Sequence, residues 1–270
     1  MLKGRHYGAS RRAWAVATRA RSTRVAPGAP GDHIGVGGQK LSNNRRVTNV
    51  QDVLATVRAT RRRLAADGPA HLRSAGDFER VSVPSSDCDV LRDLLLAERP
   101  SMVIEIGLAY GSSALAIAEA LLAVGSRQAR YVIIDAYQHH FHGSGWDAIV
   151  RAGLTDLCSL VEERSQIALA RLLGDGLVAD AAFVDGSHIF HNVFVDLFYL
   201  RELVRPGGLM ILDDCNYPSV ATAVRYFEVN TGWKSEPIAG TTRLRAFRLP
   251  DPRTEPSFES FRSFGLDMPG

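Results

Sequence analysis

The sequence predicts an α/β fold: a doubly wound, mostly parallel seven-stranded sheet with helices on both faces, behind a helical N-terminal extension. Three observations predict it. From Met102 onward, short apolar runs alternate with segments of helical periodicity, the pattern of strands joined by helical crossovers. The first five runs are continuously apolar, as strands buried on both faces are. The last two lie close together after the final helical segment, which suggests an antiparallel hairpin closing the sheet.

In chain order, Val53, Leu54, Val57 and Leu64 give a helical pattern from about Val50 to Leu72, carrying an arginine run at Arg61-Arg62-Arg63 that is expected on a solvated face. Pro84-Ser85-Ser86-Asp87 then starts a helix whose apolar face is Val90, Leu91, Leu94 and Leu95. Strands are expected at Met102–Ile106, Tyr131–Ile134, Leu160–Glu162, Ala181–Val184 and Leu209–Leu212, followed by Trp233–Glu236 and Leu244–Arg248. Helices are expected between them near Ser113–Leu122, Trp146–Ala152, Gln166–Leu173, Asn192–Val204 and Ser219–Val229. In sheets of this kind ligands bind outside the carboxyl ends of the strands.

Composition excludes several classes. With 46% hydrophobic and 23% charged residues, the chain reads as an ordinary soluble protein. Its three cysteines, Cys88, Cys158 and Cys215, form no C-x-x-C and indicate neither a disulfide framework nor a zinc site; reduced thiols suit a cytoplasmic protein. The net charge of +3 conceals a division: residues 1–46 hold ten Lys or Arg against the single acid Asp32, so the rest of the chain is net acidic. A nucleic-acid partner is therefore not expected from the pI. The basic extension is rich in Arg, Ala, Gly and Pro without sustained periodicity, and reads as disordered and dispensable. Its removal should leave the melting temperature unchanged, and a large loss would contradict this. The apolar run Met102–Val124 contains Glu105, Glu119 and a glycine pair, so no membrane span is expected.

Three features carry chemistry. In "VIEIGLAYGSSALAIA", Gly107 and Gly111 flank a strand-to-helix turn where the backbone can approach a ligand and a helix N-terminus favours an anion. The spacing is G-x-x-x-G, which serves a dinucleotide pyrophosphate less well than G-x-G-x-x-G. Asp135 ends the second strand, where a carboxylate can take both hydroxyls of a ribose. Asp185 ends the fourth strand, and Asp213 and Asp214 end the fifth, 28 residues later. Three converging carboxylates repel one another unless a cation joins them, and a hard divalent ion takes oxygen ligands. Each could instead cap a helix, but Asp213 and Asp214 cannot both cap one.

The stretches "EIGLAYGSSAL" and "IIDAY" resemble the first two motifs of class I S-adenosylmethionine-dependent methyltransferases. That resemblance, covering about residues 80–250, implies a Rossmann-like methyltransferase fold. It implies Glu105, Gly107, Gly111 and Ser113 on the methionyl side of the cofactor and Asp135 on its ribose. "ERSQ", ending at Ser165 and Gln166, is similar to the adenine-side turn of catechol-type O-methyltransferases. D-G-S-H at Asp185–His188 followed by Asp213-Asp214 resembles metal-dependent O-methyltransferases of small molecules and sugars. By that likeness Asp185, Asp213 and Asp214 bind Mg2+ or a similar divalent cation, and His188 is the general base, where catechol-type enzymes carry a Lys. His191, three residues on, is its competitor.

The histidines His139, His140 and His142 are expected in a covering loop rather than a zinc site, and Trp146 could pack on the adenine. The chain then divides into the basic extension (1–46), a helical lid segment (47–80), the methyltransferase domain (81–250) and a tail (251–270). The expected activity is O-methylation of a small hydroxylated natural product, sugar or phenol, without a nucleic-acid or membrane partner; assembly with copies of itself stays open. Rival readings are a hydroxylase-like relative on the same scaffold, a non-catalytic cofactor-binding protein and, more distantly, an NAD-dependent oxidoreductase.

Overall fold

The computed structural model describes residues 49–126 and 128–265; the basic extension 1–46 and the end of the tail lie outside the described residues. Helix α1, Val50–Asp67, begins at the Asn49 cap, whose side chain accepts from the Gln51 N–H at 3.1 Å. It buries Leu54, Val57, Thr60 and Leu64 and stops short of Leu72, because Gly68 takes a left-handed φ of 71° and Pro69 follows. Of the arginine run, Arg62 and Arg63 are exposed as expected, whereas Arg61 turns inward to Glu119 and Asp89. The one-turn helix α2, Asp77–Val81, carries no apolar periodicity and was not expected.

The remaining elements follow the predicted alternation: α3 (Ser85–Glu98), β1 (Met102–Ile106), α4 (Ser112–Val124), β2 (Arg130–Ile134), α5 (Ser144–Arg151), β3 (Cys158–Val161), α6 (Ser165–Gly174), β4 (Ala179–Val184), α7 (Phe190–Leu203), β5 (Val204–Leu212), α8 (Pro218–Thr231), β6 (Lys234–Glu236) and β7 (Arg245–Arg248). They form a seven-stranded sheet in the order β3-β2-β1-β4-β5-β7-β6. The first five strands are parallel, and β7 runs antiparallel to both β5 and β6. Strand β5 starts five residues before its apolar run, because a register shift opposite Ala179–Ala181 lets Val204 pair before the Gly207-Gly208 bulge.

Two cores sandwich the sheet. Val103, Ala181, Phe183, Leu209 and Ile211 face a layer built on α1, α3, α4 and α5. Their neighbours Ile104, Ile106, Ala182, Val184, Met210 and Leu212 face α6, α7 and α8. Both faces of each central strand are therefore buried, which explains why those strands read as unbroken apolar runs. No described helix is long and apolar enough to cross a membrane.

Candidate active site

Strand register aligns the site. Ile106 pairs with Ile134 and with Val184, and Val184 pairs with Leu212. The next residue of each strand is Gly107, Asp135, Asp185 or Asp213, so all four stand along one edge of the sheet. The ladder continues through them: Gly107 N–H donates to the Ile134 carbonyl at 2.9 Å, Asp185 N–H to Ile106 at 2.9 Å and Asp213 N–H to Val184 at 3.0 Å. Gly107 has φ 95°, and a Cβ there would stand 2.0 Å from the Asp185 carbonyl oxygen. The turns after β1 and β4 can touch only because this residue has no side chain.

Gly111 (φ 87°) closes the turn and opens α4, whose first turn has no side-chain cap. Its free N–H groups suit an anionic part of a ligand, so the turn fits the cofactor that the motif implies. Beneath it, Glu105 is fully buried and accepts hydrogen bonds from Ser113 Oγ at 2.6 Å and from the Tyr131 hydroxyl. Burial pushes its carboxyl up to about 8, with the two hydrogen bonds opposing the shift. The folded state then holds a proton that the unfolded state releases above about 4.5, so stability falls as pH rises through that window towards 8. Glu105→Gln, neutral throughout, should melt about 5 °C higher than the parent at pH 8 and converge with it near pH 4.5. Coincident melting at pH 8 would mean that Glu105 is not held neutral.

Asp135 is buried, and its carboxylate accepts four hydrogen bonds. Oδ2 takes the N–H groups of Leu108 (3.0 Å) and Ala109 (3.0 Å) and Nε2 of Gln138 (2.9 Å), and Oδ1 takes the Tyr137 N–H (2.7 Å). It thus ties the glycine turn to the segment after β2. Ser165 and Gln166 open α6 half-buried; Gln166 Nε2 donates to Asn192 Oδ1 at 3.2 Å, and Asn192 Nδ2 donates to Ser187 Oγ at 3.0 Å. The turn after β3 is thereby linked to the D-G-S-H turn.

Across β4 and β5, Asp185, His188 and Asp214 each offer a ligand atom, all within 4.8 Å of one another. His188 Nε2 lies 2.7 Å from Asp214 Oδ2, and its ring is 44% exposed. Burial raises the Asp185 carboxyl well above the ordinary range, and the charges of Asp213 and Asp214 raise it further. For Asp214, burial works upward but the His188 hydrogen bond and the Arg243 charge prevail, leaving it below the ordinary range. Asp213, expected beside these ligands, instead meets Arg243, whose Nε and Nη2 reach its two oxygens at 3.1 and 2.7 Å. With all three carboxylates ionised, one guanidinium would leave two negative charges beside an imidazole, and it is this mutual repulsion that raises Asp185 beyond the effect of burial. Such a donor set fits a hard divalent cation at the oxygens of Asp185 and Asp214.

His191 stands outside this group, and the group is the only one of its kind among the described residues, so His139, His140 and His142 assemble no metal site there. Trp146 is half-buried against the α1–α3–α4 layer. Sequence reasoning missed Arg243 and the Asp77 hub. Asp77 is fully buried and accepts from Tyr110 Oη (2.6 Å), Arg73 Nε (2.7 Å) and Nη2 (2.9 Å), and Arg80 Nη2 (2.5 Å). The Arg73 hydrogen bonds, against the cost of burial, hold its carboxyl far below the ordinary range. Because Tyr110 belongs to the glycine turn, this hub fastens the segment between α1 and α3 onto it. The only sequence trace of it was an acid flanked by Arg73 and Arg80 at helical spacing.

Residues 104–215 match the family model described as a methyltransferase domain. Among solved structures, an O-methyltransferase from Bacillus cereus in complex with SAH is 20% identical with a TM-score of 0.52, covering 75% of this chain and 93% of that one. The O-methyltransferase TomG from Streptomyces achromogenes, involved in tomaymycin synthesis and solved with SAM, is 19% identical with a TM-score of 0.54, covering 74% and 90%. No curated protein matches by sequence. The glycine turn and the strand-end acids all lie inside the segment that matches the methyltransferase-domain model, and the chain shares the fold of these O-methyltransferases.

Proposed function

We propose that the protein is an S-adenosylmethionine- and magnesium-dependent O-methyltransferase acting on a hydroxyl of a small molecule, a sugar or phenol of natural-product type. The observation that carries this reading is the meeting of Asp185, His188 and Asp214 one strand away from the glycine turn. The O-methyltransferases of similar fold from Bacillus cereus and Streptomyces achromogenes support the reaction class. When bound, the cofactor supplies an electrophilic methyl group and the cation supplies charge that makes a hydroxyl more acidic.

The chain's own residues do the rest. Gly107, Gly111, Ser113 and Glu105 shape the methionyl side, Asp135 the ribose side, and Ser165 with Gln166 the adenine side. Asp185 and Asp214 provide the outward carboxylate oxygens, with Asp213 behind them. Asp214 Oδ2 accepts the Nε2–H of His188, which leaves Nδ1 as the basic nitrogen to take the acceptor's proton. The half-exposed Tyr217 ring, 5.2 Å from that of His188, offers a flat surface beside it.

Incubation with S-adenosylmethionine, magnesium and a panel of sugars and phenols, read by mass spectrometry, tests the proposal. A methylated product is expected, chelation should abolish it, and added magnesium should restore it. Full turnover in excess chelator would return Asp185 and Asp214 to packing and capping roles, and methylation at nitrogen or carbon only would overturn the reaction class.

A further inference from the structure

We propose that Arg243 is an internal cation that withholds Asp213 from the metal, so that a divalent ion is held by Asp185 and Asp214 alone. The inference rests on the metal-dependent reading above and assigns its ligands. Resemblance puts three equivalent acids around the ion; the geometry makes them unequal.

Both oxygens of Asp213 are already paired. Its Oδ1 accepts from Arg243 Nε at 3.1 Å and from the Asp214 N–H at 2.7 Å, and its Oδ2 accepts from Arg243 Nη2 at 2.7 Å. Its side chain has no exposed surface. A forked guanidinium matches a carboxylate edge as a point charge cannot, so this pairing competes well with a metal–oxygen bond. Asp214 divides its two oxygens: Oδ1 stands 3.0 Å from Arg243 Nη2, and Oδ2 faces His188. Its backbone has φ 55°, a left-handed conformation uncommon outside glycine.

Arg243 is itself fixed from both sides. It lies between β6 and β7, its N–H donates to Thr241 Oγ1 at 3.2 Å, and its carbonyl accepts the Cys215 N–H at 3.3 Å. The residue after the Asp213-Asp214 pair therefore holds the backbone from which the guanidinium reaches back to that pair. Such a fixed cation subtracts one negative charge from the site and one ligand from the ion. Divalent affinity tracks both ligand number and ligand charge. Arg243 is thus a positioning residue: it sets how tightly the site holds its ion and keeps the ion at the Asp185–Asp214 end, next to His188.

Calorimetric titration of the full chain with Mn2+, with electron paramagnetic resonance of the bound ion as a second readout, tests this without any turnover. Arg243→Gln frees Asp213 and should tighten Mn2+ binding about tenfold or more. Arg243→Gln combined with Asp213→Asn removes the recruited ligand and should return the affinity to within about threefold of the parent. A merely structural arginine would give the opposite sign, because its loss would loosen the site. Equal or weaker binding by Arg243→Gln, with the parent still binding, overturns the inference alone. Absence of Mn2+ binding by the parent and by Arg243→Gln alike overturns the metal reading and the inference with it. If Arg243→Gln does not fold, Arg243→Lys carries the test. It keeps the charge but cannot fork over both oxygens, so it should bind about threefold tighter than the parent; equal or weaker binding overturns the inference.

Discussion

Replacing His188 by alanine is expected to lower turnover about 10²–10⁴-fold, the usual worth of a general base, while leaving cofactor affinity within about twofold. The size follows from its position. Nε2 is 2.7 Å from Asp214 Oδ2, so the ring is held in one orientation with Nδ1 free, and at 44% exposure an acceptor can reach it. Its backbone is fixed too, since Ser219 Oγ donates to the His188 carbonyl at 2.6 Å. None of these contacts involves the glycine turn or Asp135, which is why cofactor affinity should survive. His191→Ala is the matched control: that ring is exposed at the start of α7, outside the group, and its loss should change turnover less than about twofold. Single-turnover rates on the true acceptor, with calorimetry of S-adenosylhomocysteine, would separate the two quantities. A sugar hydroxyl should show the larger loss, because a phenol releases its proton more readily. A His188→Ala enzyme keeping most of its turnover on a sugar would remove this residue from the mechanism.

What was legible in the sequence followed from burial. Strands β1, β4 and β5 are covered on both faces, so their apolar runs, and the acids that end β4 and β5, stand out in the text. The register that aligns Gly107, Asp135, Asp185 and Asp213 follows once those ends are found. Partnerships across the chain were not legible. Arg243 is 30 residues from Asp213 in a polar segment with no periodicity, and an arginine there reads as surface. Arg61 read as one of three solvated arginines, yet it alone turns to the buried Glu119, because α1 packs on α4 along that side. Asp77 lies in a five-residue helix too short to show a pattern, although its four donated hydrogen bonds fasten that segment to the glycine turn. Acids at strand ends announce themselves, whereas the cations that meet them depend on tertiary folding.

Asp135→Ala is expected to weaken S-adenosylmethionine binding by about 10²-fold or more and to lower the melting temperature as well. Both effects have one source. The carboxylate accepts the N–H groups of Leu108, Ala109 and Tyr137 and Nε2 of Gln138, and truncation leaves all four donors without that acceptor. An unsatisfied buried donor costs about 1–3 kcal/mol, so even with water replacing part of the loss a few kcal/mol should disappear. Two of those donors are the first residues after Gly107, and Ala109 sits at φ 44°, a conformation that needs external support. Without Asp135 the turn should relax, taking with it the α4 entry proposed to face the cofactor. Asp135→Asn keeps one accepting oxygen and should fall between the parent and alanine in both measurements. Calorimetry and thermal melting of the three proteins therefore separate two ways of acting. Lost affinity with an unchanged melting temperature would make Asp135 a ribose ligand only, since its grip on the turn would then be expendable. Unchanged affinity in Asp135→Ala would sink the ribose-side assignment altogether. A joint fall, graded from asparagine to alanine, is the expected result, because the carboxylate proposed for the ribose side also holds the turn.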